Sequence, residues 1–177
     1  MLTKKKTSYK LYLSLLLLSS CGESSHDWKD RVSPTPYDIP SKEEFDLEIQ
    51  DIITLFREDA NTHQVDVTEG FERLKAARFN DEDFNDNNDN DRAVGRCYNV
   101  SDFRGRPLYS RLYIKTSWKN QKGKPYSFKG LVYHELGHCI LGLDHSTYQG
   151  IMFPSLSTES FYKSNWPDLV NGLFSKN

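Results

Sequence analysis

Three of the five histidines of this chain fall between residues 134 and 145, in His134-Glu-Leu-Gly-His138-Cys-Ile-Leu-Gly142-Leu-Asp-His145. His134 and His138 are spaced i, i+4, which stacks them on one face of a helix, one turn apart. Two imidazoles so placed can hold one zinc ion, and Glu135 can lean over the metal as a general base. Gly142 can end the helix in a left-handed conformation. The chain then turns back and presents His145 as a third ligand. Three protein ligands leave a fourth position open for water, as a catalytic zinc requires. A metal-free buried helix would instead need a polar partner for each of three histidines. A purely structural zinc favours four ligands, usually with cysteine, and Cys139 stands one step off the ligand face.

A second signal follows in Asp144-His-Ser-Thr-Tyr-Gln-Gly-Ile-Met152-Phe-Pro-Ser155. The stretch from His134 to Ser155 resembles the metzincin clan of zinc peptidases, and most of all its matrixin branch. By that resemblance Met152 is the residue of the Met-turn, lying beneath the zinc without ligating it. The spacing departs from the clan pattern H-E-x-x-H-x-x-G-x-x-H: one further residue separates His138 from Gly142. Asp144 therefore stands where the clan count places the third ligand. The Gly-x-x-His spacing is nevertheless kept and imidazole suits zinc, which favours His145. Asp144 is the alternative, and otherwise a polar neighbour of the site.

The resemblance implies a zinc-dependent endopeptidase acting on peptide or protein substrates. Zinc held by His134, His138 and His145 would lower the pKa of a water ligand to ~7. Glu135 would take its proton and pass it to the leaving amine. An extended substrate would lie along an edge strand and gain main-chain hydrogen bonds, with Arg111–Ser117 as the candidate strand. The competing reading is a non-catalytic surface lipoprotein that binds a metal or a partner. An intact Glu135 weighs against it, because an inactive site has no use for a base.

The chain has 177 residues, enough for one domain after its N-terminal segments. A formal charge of -2 argues against a nucleic-acid partner. Lys4, Lys5, Lys6 and Lys10 precede a short apolar run, Leu11 to Leu18, too short for a permanent membrane span. Residues 1–20 read as a secretory signal peptide. Leu18-Ser-Ser-Cys21 resembles the bacterial lipobox, in which cleavage precedes a cysteine that becomes lipidated. Lipid on Cys21 would hold the exported protein on a bacterial membrane, at the outer membrane or cell surface, without spanning it. Residues 21–40 are polar and read as a flexible tether. The catalytic domain occupies 41–177. Outside the cytoplasm Cys97 and Cys139 can pair; a small buried helix residue is the other reading of Cys139.

These positions need a scaffold. Ser41 and Glu44 make a capping box, and Phe45, Ile49, Ile52, Ile53 and Phe56 recur at helical spacing, which predicts an N-terminal helix over residues 42–58. Gln64–Val67 alternates like a short strand. Phe71–Phe79 reads as strand or helix. Residues 80–92 are almost wholly Asp and Asn. Oxygen ligands suit calcium, but the run lacks the glycine and final glutamate of an EF-hand. It reads as a solvated loop, with the structural calcium of secreted metzincins as the alternative. Strands are expected at Arg96–Val100 and Leu108–Trp118. Ser127 can cap an active-site helix from Phe128 to Leu141. A C-terminal helix is expected over Asn165–Ser175, with Pro167 in its first turn. The order implies an α+β zincin: a mixed twisted sheet with an N-terminal, an active-site and a C-terminal helix.

Overall fold

The computed structural model describes residues 44–81, 84, 93–121 and 123–175. The leader, Cys21, the tether and Ser41 lie outside them, as does most of the Asp/Asn run on which the calcium reading depends. The architecture is α+β. The elements are β1 (Glu44–Phe45), α1 (Leu47–Thr62), α2 (Thr68–Arg73), β2 (Leu74–Phe79), β3 (Gly95–Ser101), β4 (Pro107–Ile114), α3 (Pro125–Leu141) and α4 (Glu159–Phe174). The four strands form one mixed sheet in the order β1-β2-β4-β3. β1 and β4 pair with β2 in parallel, and β3 closes the sheet antiparallel to β4. Among the described residues β3 is therefore a free edge. Arg111–Ile114, expected as the edge that takes substrate, is instead the middle of the sheet, and Ser117 falls in a single 3-10 turn at Thr116–Trp118. The hydrophobic run from Leu108 is that of a strand buried between two neighbours, which periodicity alone does not distinguish from an edge.

The core lies between one face of this sheet and the helices. α1 buries Ile49, Ile52, Ile53, Phe56 and Ala60, a stripe at helical period. Phe56 packs edge-on to Tyr133 of α3 and Phe174 of α4, both at 5.1 Å between ring centroids. The sheet contributes Leu74, Ala77, Leu112 and Ile114. α3 is buried along most of its length and touches α1, α2, α4, β3 and β4. Hence the helix bearing the histidines is the central strut of the domain.

Several boundaries differ from the sequence reading. Glu44 and Phe45 form a strand against Ala76 and Ala77, and Glu44 pairs with Arg78 at 2.5 Å, so Glu44 is not part of a capping box. Strand pairing overrides the helical spacing of Phe45, and α1 starts at Leu47 and runs to Thr62. Gln64–Val67 is a turn: Gln64 has φ 58°, which breaks an extended run. The ambiguous stretch divides, with α2 ending at Arg73 and β2 beginning at Leu74. α3 starts at Pro125, whose fixed φ and missing N–H suit a first helical position. Ser127 is thus inside the helix rather than its cap. The first-turn N–H groups of Tyr126 and Ser127, which have no partner within the helix, donate to the Glu159 carboxylate at 3.1 and 2.7 Å. α4 begins at Glu159, capped by Thr158, so Pro167 lies in its interior.

His63 ends α1 and ties it to α4. Its Nδ1 lies 2.7 Å from the Asp59 carbonyl and its Nε2 2.7 Å from Asn171 Oδ1. A neutral imidazole has one N–H for these two acceptors, whereas the imidazolium serves both. The Asn171 bond, then the Asp59 carbonyl, raise the His63 pKa above its usual value; burial opposes them. A raised folded pKa means the tie is fully present below the unfolded value of about 6.5 and is lost as pH rises through the folded value. The thermal midpoint of the protein should therefore fall more between about pH 6 and 9 than that of His63→Gln. Parallel pH curves for the two proteins would show that His63 contributes no such linkage.

Candidate metal centre and active site

His134 and His138 project from successive turns of α3, and His145 approaches from beyond its end. One ligand atom from each lies within 4.8 Å of the others, the one such three-residue group among the described residues. Their rings meet with centroids 4.8–5.2 Å apart. His134 Nδ1 is 2.7 Å from the Ile151 carbonyl, and His138 Nδ1 is 2.5 Å from the Leu143 carbonyl. A carbonyl only accepts, so both Nδ1 atoms carry the proton and both Nε2 atoms are bare lone pairs. Those two Nε2 atoms stand 3.2 Å apart. Two lone pairs so close repel unless a cation lies between them. Nitrogens sharing a tetrahedral zinc at ~2.0–2.1 Å would be separated by roughly 3.3–3.4 Å. The donor set, its tautomers and its spacing therefore fit zinc.

Electrostatics agree. Burial, reinforced by the His138 charge, pushes His134 down to about 3, and burial likewise lowers His138. Both rings stay neutral near pH 7, the form that binds metal. Burial pushes the Glu135 carboxyl up to about 8, against the charge of Arg96 and a hydrogen bond from the Cys97 N–H. Glu135 is 2% exposed and lies under β3. A Cβ on Gly95 would stand 2.6 Å from Glu135 Oε1, so only glycine lets the strand close over this carboxyl. Cys97, two residues along β3, is disulfide-bonded to Cys139 of α3, with Cα atoms 5.5 Å apart.

The residue in excess of the clan spacing is absorbed at the end of α3. Gly142 adopts φ 64°, ψ 27°, and its N–H reaches back to the Gly137 carbonyl. The Leu143 N–H joins the same oxygen at 3.0 Å. Each bond spans one residue more than the usual glycine cap, giving a wide, π-type final turn. The His138 carbonyl is left to accept from Asn99 Nδ2 at 3.4 Å. The wide turn takes up the extra residue and brings His145 into the cluster. Asp144 stays exposed and acts on His138 only through its charge.

Met152 packs against α3 at Gly137, between His134 and His138 in the chain. A Cβ on Gly137 would sit 2.3 Å from Met152 Sδ, and Met152 is buried. The Ser146 N–H donates to the Met152 carbonyl at 2.7 Å, which closes the loop from His145 back to the turn. Gly137→Ala should therefore displace Met152 and cost about 1–3 kcal/mol. A denaturant midpoint equal to wild type would show that the thioether does not press on this helix.

The model of one protein family, Matrixin, matches residues 41–169. The chain belongs to the matrixin family. No curated protein and no solved structure gave a match. Matrixins are metalloproteases that bind zinc, and the three histidines are where this matrixin could hold it. The match spans β1 to the middle of α4, so the sheet and the active-site helix both lie inside it.

Sequence reasoning singled out the histidines, Glu135, Met152 and both cysteines. It passed over Gly95 and Gly137, whose missing side chains admit Glu135 and Met152, and the carbonyls of Leu143 and Ile151. Gly137 carried a signal, being a glycine inside a helical pattern. The carbonyls carried none, since a main-chain acceptor has no residue type.

Proposed function

We propose that this matrixin is a zinc-dependent endopeptidase with His134, His138 and His145 as metal ligands and Glu135 as general base. The observation that supports it most is the pair of bare Nε2 atoms at 3.2 Å, oriented by carbonyls behind them. A zinc ion bound there supplies a water of lowered pKa and a Lewis acid for the substrate carbonyl. The chain's own residues supply the rest. Glu135, buried beside the metal ligands, holds the proton and returns it to the leaving amine. The Cys97 N–H and the close approach of Gly95 keep its carboxylate in place. Strand β3, an edge among the described residues, would offer main-chain groups to an extended substrate adding as a further strand. Phe153 and Pro154 follow Met152 and would wall the pocket that takes the side chain after the cleaved bond. The leader and Cys21 support export and attachment by lipid to a bacterial membrane, with residues 21–40 as tether.

The test is metal analysis joined to digestion of a peptide library. About one zinc per chain with cleavage that a chelator abolishes and zinc restores supports the proposal. Stoichiometric zinc with no cleavage of any denatured protein or peptide would favour a metal-binding lipoprotein instead. Labelling with radioactive palmitate, lost in Cys21→Ala, tests the anchor.

A further inference from the structure

Among the described residues β3 pairs with β4 alone, yet it covers the carboxyl of Glu135. It meets α3 along this stretch through several kinds of contact, among them the charge of Arg96 on Glu135. Gly95 has no side chain. Asn99 reaches the His138 carbonyl only at 3.4 Å. The Cys97 N–H donates to Glu135. One tie is covalent: Cys97 is bonded to Cys139, the residue after His138. The imidazoles of His134 and His138 are oriented from elsewhere. Their partners, the Ile151 and Leu143 carbonyls, lie on the chain after α3. The disulfide thus acts on the base and on the strand edge, and much less on the metal site.

We propose that Cys97 and Cys139 are positioning residues whose disulfide seats β3 over Glu135, so that oxidation completes the active site while the three-histidine centre forms without it. An edge strand with one ladder opens at low cost when its cross-link is removed. Misplacing a catalytic group by an ångström costs about 10²-fold in rate. The bond forms by thiol–disulfide exchange: the two thiols give up two protons and two electrons to a small external disulfide, which leaves as two thiols. Cys97 is half-buried and Cys139 is 3% exposed, so Cys97 is the less buried of the two. A chain made under reducing conditions would then hold its activity low until it met an oxidising compartment.

The catalytic part of this proposal rests on the endopeptidase reading. The zinc-loaded full chain is compared as oxidised, phosphine-reduced and reoxidised protein. The phosphine takes oxygen from water as the S–S bond becomes two thiols, and it spares the metal from a competing dithiol. A Cys97→Ser/Cys139→Ser double variant serves as control. Zinc content, amide hydrogen exchange and peptide cleavage well below the unfolding temperature are measured. Reduction should leave zinc unchanged, speed exchange across residues 95–101 at least about tenfold, and leave 134–141 protected. The kcat should fall by about 10–100-fold, more than KM rises, and return on reoxidation. The double variant should stay low in both redox states. Should it fail to fold, reduced wild-type protein carries the same comparison. Equal exchange across 95–101 in both states would overturn the proposal, as would loss of zinc on reduction, or a lowered thermal midpoint with kcat intact. If the oxidised chain cleaves nothing, the endopeptidase reading fails, and the exchange result still decides whether the disulfide seats the strand.

Discussion

Replacing Glu135 by glutamine should lower kcat by about 10²–10⁴-fold, the usual contribution of a positioned general acid–base, and leave zinc at about one per chain. The substitution conserves volume inside a site that is almost wholly buried. Burial disfavours the ionised carboxylate, so a neutral amide should not destabilise the fold. Two of the imidazoles have supports apart from Glu135: His134 leans on Ile151 and His138 on Leu143. Activity and metal content should therefore separate. The check is kcat on a peptide substrate beside zinc analysis of the same preparation. Full activity in Glu135→Gln would remove this residue from the mechanism, and zinc loss would make it part of the metal's support.

The second large effect concerns the third ligand. His145→Ala should weaken zinc binding by well over the 10–100-fold typical of a lost supporting group, and should abolish cleavage. Asp144→Asn should leave zinc at about one per chain and lower affinity no more than that range. The structure gives the reason: the wide turn at Gly142 carries His145 into the cluster, while Asp144 remains at the surface. Zinc should also stabilise the wild type, by about 2.7 kcal/mol at a hundred times its dissociation constant, and this gain should be missing in His145→Ala. Competition with a zinc indicator measures the affinities, and thermal melts with and without zinc measure the gain. The reverse ranking of the two variants would assign the third position to Asp144.

Both predictions concern residues whose types were legible in the chain. The i, i+4 spacing of His134 and His138 determines their common face for any helix through them. Likewise the apolar stripe of α1 was readable because a 3.6-residue period is a local property. Boundaries were less legible. Glu44 and Phe45 look helical by spacing but are captured by β2, and Ser127 looks like a cap although Pro125 has already started the helix. For Glu44 and Phe45 a contact distant in sequence outweighed a local preference worth about 1 kcal/mol or less, and for Ser127 one local signal, Pro125, outweighed another. The edge of the sheet was not legible at all. A strand buried between two neighbours and one at the rim can share the same alternation, and pairing partners are set by the whole sheet.

By itself the sequence determined which side chains could do the chemistry, because ligand type and helical spacing are properties of neighbouring residues. It also determined the family expectation, through His134–Ser155. Only the tertiary structure decided how the extra residue before Gly142 is absorbed, why β3 rather than Arg111–Ser117 lies at an edge of the described sheet, and what holds Glu135. Those outcomes depend on main-chain carbonyls, on missing side chains at Gly95 and Gly137, and on elements far apart in the chain that meet only when the core closes.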